Sequence, residues 1–340
     1  MVGPFPTGWS VDPDDVAVFQ LRAGLWSLRL PLPWPGLSRV NAYAIEADPD
    51  GVVLVDCGIA GDESCWEALH EGLRQTGHTP ADVRRLVITH AHSDHFGLAA
   101  RVVEESGCTL EMHPAHEPFT DAANEPVRIE TERRRHALLQ GVPQESVRFY
   151  SDVAEEVDAA LPVPRFTALA SGMRIPTGLG EWTVVETPGH APSHLLLHQP
   201  ELGIAIVGDL ISRVFAPWYD HGYTADPVSE LHASLDVLAG LDVELALPGH
   251  GRPIENVAEI VAMHHTELGS RVAAVAAAVA GGATSAYAVS REVFGRDDEM
   301  IDEVSHFVET LVYLDHLRLR EEIIRDDNDD AFVYAAVPGV

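Results

Sequence analysis

Leu86-Val87-Ile88-Thr89-His90-Ala91-His92-Ser93-Asp94-His95-Phe96-Gly97 carries an apolar run straight into a cluster of polar side chains. The apolar and β-branched residues at 86–89 read as a buried strand, and a helix-compatible run from Leu98 to Glu105 follows. The four residues of metal-ligand type therefore fall where a strand ends and a helix begins, the place where α/β folds carry their chemistry. Side chains alternate along an extended segment, so His90 and His92 project to one side while Ala91 points away, and the pair can share a cation. After the turn at Ser93, Asp94 and His95 aim in another direction, which suits a second cation beside the first. In a chain with 18 histidines a lone pair would mean little. Four ligand-type residues packed into this junction are a much stronger signal.

The chain has 340 residues, a length that suggests about two domains. Its 46% hydrophobic content is ample for a core. The formal charge is -31, from 53 acids against 22 bases, and every base is Arg. A surface this acidic repels a phosphate backbone, so nucleic acid is not an expected partner. The 3 cysteines, Cys57, Cys65 and Cys108, form no CxxC pair and suggest free thiols in a reducing compartment. No apolar stretch reaches the ~18 residues of a membrane span, and Met1 to Asp12 lacks the basic and apolar regions of a secretory leader. The expectation is a cytoplasmic protein with no membrane partner.

Met1 to Asp14 reads as an irregular lead-in, and Val16 to Leu30 as a strand pair turning near Ala23-Gly24. Asn41 to Ala47 and Val52 to Val55 read as hairpin strands joined by Asp48-Pro49-Asp50-Gly51, the second ending in Asp56. A helix to about Gln75 completes an α/β unit, with Asp62 or Ser64 as its cap. Residues 112–160 read as a lid or insertion with a charged helix from Glu130, on which Arg133, Arg134 and Arg135 form a solvated face or an anion clamp. In the second half, strands stop at turns that deliver His190, Asp209 and His250. Strands converging on one rim bring these three to the ligands of the first half.

The ordered set His90-x-His92-x-Asp94-His95, His190, Asp209 and His250 resembles the signature of the metallo-β-lactamase-fold hydrolases, a superfamily that includes glyoxalase II, lactonases and thioesterases. The resemblance spans roughly Val16 to Ile254 and implies an αβ/βα sandwich, two face-to-face sheets with helices outside and two metals at the sheet edge. It implies that His90, His92 and His190 hold one metal, that Asp94, His95 and His250 hold the other, and that Asp209 bridges them. Asp56 resembles the family acid that orients a ligand imidazole. Ser193 departs from the Gly usual there, and Ser212 stands where acyl-homoserine lactonases carry Tyr. Residues 255–325 resemble a small helical, winged-helix-like appendage. Asp297, Asp298, Glu299, Asp302 and Glu303 crowd it, so a role in covering the pocket or in a homodimer fits it better than DNA binding. Residues 326–340 read as an acidic tail. His113, His116, His194 and His198 read as ordinary histidines, and His264 and His265 as surface ones.

Nitrogen and oxygen ligands without thiolate fit two divalent ions, Zn²⁺ first, with Fe or Mn²⁺ as alternatives. Two such cations would lower the pKa of a bridging water toward ~7, so the implied reaction is hydrolysis by attack of a metal-bridging hydroxide, with Asp94 and Asp209 as the catalytic acids. Aromatic residues just past Asp209, namely Trp218, Tyr219 and Tyr223, are candidates to bind a small-molecule acyl substrate. The expected bond is a thioester, then a lactone. The alternatives are a persulfide dioxygenase or other metal oxidoreductase, a phosphodiesterase or nuclease, and a β-lactam hydrolase. No GxSxG supports a serine hydrolase.

Overall fold

The computed structural model describes residues 17–34, 36–47, 49–61, 63–152, 163–295, 300–328 and 330–337. The lead-in, Asp48, Asp62, the end of the lid, Asp297 to Glu299 and the last tail residues lie outside them. Strands β1 (Ala17–Arg22), β2 (Leu25–Pro31), β3 (Arg39–Glu46), β4 (Val52–Val55), β5 (Val83–Val87), β6 (Thr109–Met112) and β7 (Phe166–Ala168) form one sheet in chain order. It is antiparallel through β4 and parallel beyond. A second sheet has the order β12-β11-β10-β9-β8, from β8 (Arg174–Thr177), β9 (Gly180–Glu186), β10 (Leu195–Gln199), β11 (Ile204–Gly208) and β12 (Leu245–Pro248).

Strand periodicity explains the layering. In β4, Val52 and Leu54 join a core shared with Trp66, Leu69 and Leu73 of helix α1 (Glu63–Gln75). Val53 and Val55 face the other way and meet Trp182, Val184, Leu195 and Ile206 of the second sheet. The outer face of that sheet, through Leu196, Ala205 and Val207, shares a third core with the helix Pro227–Ala239 and with the C-terminal helices. The result is the expected αβ/βα sandwich. The first-sheet side also carries the short helices α2 (Ser93–Phe96) and α3 (Ala99–Ser106).

The stretch read as a lid or insertion folds into helices α4 (Glu117–Asn124) and α5 (Pro126–Leu139). Past α6 (Pro227–Ala239), the C-terminal part holds α7 (Val257–Ala280), α8 (Ala286–Val293) and α9 (Met300–Leu319). The stretch read as an acidic tail instead includes a hairpin, β13 (Ile323–Asp327) with β14 (Phe332–Ala336), in which Asp326 pairs with Val333. A two-stranded ribbon has a wet face that tolerates acids, while Ile323 and Tyr334 turn into the core. No helix among the described residues is long and apolar enough to cross a membrane.

The C-terminal helices are locked to the loop beyond Asp209. Arg271 of α7 donates Nη1 to Glu309 of α9 at 2.7 and 2.8 Å and Nη2 to the Phe215 carbonyl at 2.9 Å. Glu309 is buried and also accepts the Tyr313 hydroxyl at 2.7 Å. Arg271→Met removes the charge that balances this carboxylate and is expected to cost about 3 kcal/mol, seen as a lower urea midpoint at unchanged slope. A loss below about 1 kcal/mol would contradict this packing.

Candidate metal centre

All seven sequence-predicted ligands arrive at one rim of the sandwich because four strands end there. β5 leads into His90 and His92, α2 carries Asp94 and His95, β9 leads into His190, β11 into Asp209 and β12 into His250. Backbone bonds stitch the rim across the two sheets, Leu195 N to Thr89 O and Asn41 N to Gly249 O, each at 2.7 Å, and Gly249 N bonds Gly208 O at 2.7 Å within the second sheet. Gly249 has to be glycine, since a Cβ there would lie 2.1 Å from Asp209 Oδ1 and 2.6 Å from His95 Cε1.

The side chains form three groups whose ligand atoms lie within 4.8 Å of one another: His90, His92 and His190; His90, His95 and Asp209; Asp94, His95 and His250. His190 Nε2 is 3.2 Å from His90 Nε2 and 3.0 Å from His92 Nδ1. His250 Nε2 is 3.2 Å from both Asp94 Oδ2 and Asp209 Oδ2. Asp209 touches both halves, with Oδ2 3.7 Å from His190 Nε2 and Oδ1 3.5 Å from His95 Nε2.

The outward ring nitrogens fix which way the lone pairs point. His95 Nδ1 donates to Asp56 Oδ2 at 2.8 Å. The Thr89 hydroxyl donates to the same carboxylate at 2.8 Å, and so accepts from His90 Nδ1 at 3.0 Å. His92 Nε2 donates to Asp220 Oδ1 at 3.1 Å, and His250 Nδ1 to the Arg39 carbonyl at 2.9 Å. With those protons committed outward, the inner nitrogens of His90, His92, His95 and His250 face one another and the two carboxylates as acceptors.

Acceptors converging at these distances repel unless a positive charge lies among them. Two of the inner atoms, His95 Nε2 and Asp209 Oδ1, are buried with no hydrogen-bond partner among the described residues. The protonation pattern answers the same demand, with a proton on His250 in place of a cation. Burial, then the neighbouring His95 and His92, holds His90 well below the usual imidazole range. Burial and His92 push His190 down to about 4. Burial opposes protonation of His250 too, yet Asp209 and Asp94 lift it to about 10. Burial likewise works against a charged Asp209, but His250 and His95 hold it well below the usual carboxylate range. The residues present fit divalent cations.

Three residues support the predicted ligands in ways that their sequence context does not mark. Asp220 is one acid among 53 and has no diagnostic spacing. Ser193 Oγ accepts the backbone N–H of Ala91 at 2.9 Å, tying the segment between His90 and His92 to the turn after His190. His194 is buried, donates Nδ1 to Thr187 Oγ1 at 2.8 Å and accepts the Asp209 backbone N–H on Nε2 at 3.0 Å, so it positions Asp209. His113 and His116 bond within their own turns, and His198 Nε2 lies 3.3 Å from the Asp242 carbonyl. His264 is a correction: it is buried, with Nε2 2.8 Å from the Ser212 carbonyl, because its face of α7 packs on the loop past Asp209. Of the aromatic candidates, Tyr219 is buried with its ring against Tyr313, while Trp218 and Tyr223 are 37% and 40% exposed. Arg133 bonds the Asp152 carbonyl, and Arg134 and Arg135 are exposed.

Residues 35–250 match the model of the Metallo-beta-lactamase superfamily, and the chain belongs to that family. It is similar to the probable metallo-hydrolase YqjP of Bacillus subtilis (strain 168), 29% identical over 248 residues, which cover 69% of this chain and 74% of that protein. It is also similar to a metallo-beta-lactamase family protein of Thermus thermophilus, 26% identical with a TM-score of 0.80, covering 93% of this chain and all of that one. A shorter likeness, 29% over 149 residues, covers 41% of this chain and 42% of thioesterase pkgB of Emericella nidulans. The protein is a metal-dependent hydrolase of a fold that binds divalent metal.

Removing the Asp220 acceptor frees the His92 ring to turn. Asp220→Ala is expected to weaken metal retention about 10- to 100-fold, read by competition with a colorimetric chelator, with little change in unfolding temperature. Unchanged affinity would deny Asp220 this role.

Proposed function

We propose that the protein hydrolyses an ester-type acyl bond of a small molecule, a thioester in preference to a lactone. The observation that carries this reading is the convergence of seven nitrogen and oxygen donors, with Asp209 touching both halves of the cluster. In this reading His90, His92 and His190 would hold one divalent cation and Asp94, His95 and His250 a second, with Asp209 touching both halves of the donor set. The nitrogen and oxygen donor set, free of thiolate, accepts Zn²⁺, Fe or Mn²⁺, with Zn²⁺ the first expectation. Bound there, two cations supply Lewis acidity and make hydroxide available near neutral pH.

The protein's own groups do the rest. Asp56, Thr89, Asp220 and the Arg39 carbonyl keep the imidazoles in their donor tautomers. Asp94, whose Oδ2 lies between His95 and His250 at 3.5 and 3.2 Å, is placed to carry a proton to the leaving sulfur or oxygen. Exposed Trp218 and Tyr223, on the same loop as Asp220, offer an apolar surface for the acyl chain. The thioester preference draws support from the likeness to thioesterase pkgB and from Ser212, where a lactonase-type Tyr would stand.

The test is proton release by the metal-loaded protein on a thioester and a lactone with matched acyl chains, beside a chelated control. Release from the thioester is expected to exceed that from the lactone, to vanish on chelation and to return with divalent metal. Asp209→Asn is expected to lower turnover by more than the ~10- to 100-fold typical of an outer partner, with folding retained. Release that survives both chelation and Asp209→Asn would overturn the mechanism. Turnover of phosphodiesters, or oxygen uptake, with silence on both acyl substrates would overturn the substrate class.

A further inference from the structure

None of the seven donors lies beyond His250, yet the C-terminal helices reach the loop that serves them. Residues 209–226, between β11 and α6, form neither helix nor strand, and they carry Asp220, the acceptor for His92 Nε2. The Asp220 amide meets the His190 carbonyl at 3.4 Å, a long bond that holds the residue weakly. Its placement therefore depends on what holds the residues on either side of it.

Helix α9 holds both neighbours. The Tyr219 ring packs against Tyr313 with centroids 6.1 Å apart, and His221 Nε2 donates to Asp315 Oδ2 at 2.8 Å. The same helix ties the far end of the loop, where His316 Nδ1 donates to Asp226 Oδ1 at 2.9 Å. Asp315 is itself oriented, because its Oδ1 accepts Arg318 Nη1 at 2.9 Å and leaves Oδ2 to His221. Burial works against a charged Asp315, but the His221 contact, with Arg318, holds its carboxyl below the usual range. From helix α5, His136 stacks on the His221 ring, with centroids 5.6 Å apart and the planes at 28°. Burial, then His221, holds His136 down at about 4, so near neutral pH the stacked ring is uncharged. Its Nε2 accepts Gln140 Nε2 at 3.2 Å, which fixes the ring. A side chain locked by packing and by an oriented hydrogen bond is the kind of support that a precise site needs.

We propose that Asp315 and His221 are positioning residues for the metal centre: the α9 carboxylate holds His221, the adjoining backbone holds Asp220 against His92, and His92 thereby keeps Nδ1 turned into the donor cluster. The C-terminal helices then contribute to cation binding without supplying a donor. The inference rests on His92 being a metal donor and on no choice of substrate.

The test compares the wild type with Asp315→Ala and His221→Phe. The second variant keeps a ring for His136 to stack on, and so guards against a folding defect in the first, which also strips Arg318 of its partner. In one arm, Zn²⁺ retention is read by competition with a colorimetric chelator. Each variant is expected to release one bound ion about three- to tenfold more readily, the scale of a lost hydrogen bond. In an Asp220→Ala background the same two changes are expected to add nothing, because their effect runs through Asp220. Wild-type affinity in either variant, or the same fall persisting in the Asp220→Ala background, would overturn the proposal. In the other arm, hydrogen exchange is followed in the metal-free proteins. The Asp220 and His221 amides are expected to exchange about tenfold faster in both variants while those of α6 do not change. Unchanged exchange at these two amides would overturn it as well. If the wild type retains no ion while the two amides still depend on Asp315 and His221, the metal reading fails and the hold on Asp220 stands.

Discussion

The buried carboxylate of Asp56 is the point on which the centre depends. It accepts the Thr89 amide on Oδ1 at 2.8 Å, and the Thr89 hydroxyl and His95 Nδ1 on Oδ2, each at 2.8 Å. Asp56 sits at φ 59, a left-handed backbone conformation uncommon for a residue with a side chain. That conformation turns the chain at the end of β4 while Asp56 N stays bonded to Val87 O at 2.9 Å. One carboxylate thereby sets His95 directly and His90 through Thr89, so two of the inward lone pairs share a single anchor. Strain held at such a position is tolerable because the surrounding bonds over-determine it.

The two sheets supply the rest of the centre. Four of the seven donors come from the first sheet's side and three from the second, so their geometry is set by how the sheets pack. The Trp182 and Val184 side of the second sheet meets Val53 and Val55 of the first in one dry core. A core packed to crystal-like density holds donors to tenths of an ångström, which a site built on loops alone does not achieve. The charge distribution follows the same division. The chain is strongly acidic overall, and at this rim five imidazoles gather around the carboxylates of Asp94 and Asp209.

The centre was legible in the sequence because its chemistry needs particular residue types at strand ends. His90, His92, Asp94 and His95 sit together in the chain, and His190, Asp209 and His250 each follow an apolar run that stops at a glycine-containing turn. What was not legible depends on which way a side chain turns after folding. Tyr219 and Tyr223 share one loop, but the first enters the core with Tyr313 and the second stays exposed. His264 looked like one of two neighbouring surface histidines, and only the packing of α7 against the Ser212 loop buries it. Asp220 acts through a contact with a residue far away in sequence, and no local spacing marks it. The hairpin at Ile323–Asp327 and Phe332–Ala336 was hidden because its exposed face carries the acids that suggested a tail.

The central claim is that one cluster holds two cations. The most direct measurement is the metal content of the saturated protein by inductively coupled plasma mass spectrometry, with the same measurement on His250→Ala. The account predicts about two divalent ions per chain and about one in the variant, because His250 serves only the half formed with Asp94 and His95. Saturation of the wild type at one ion or fewer per chain would contradict it.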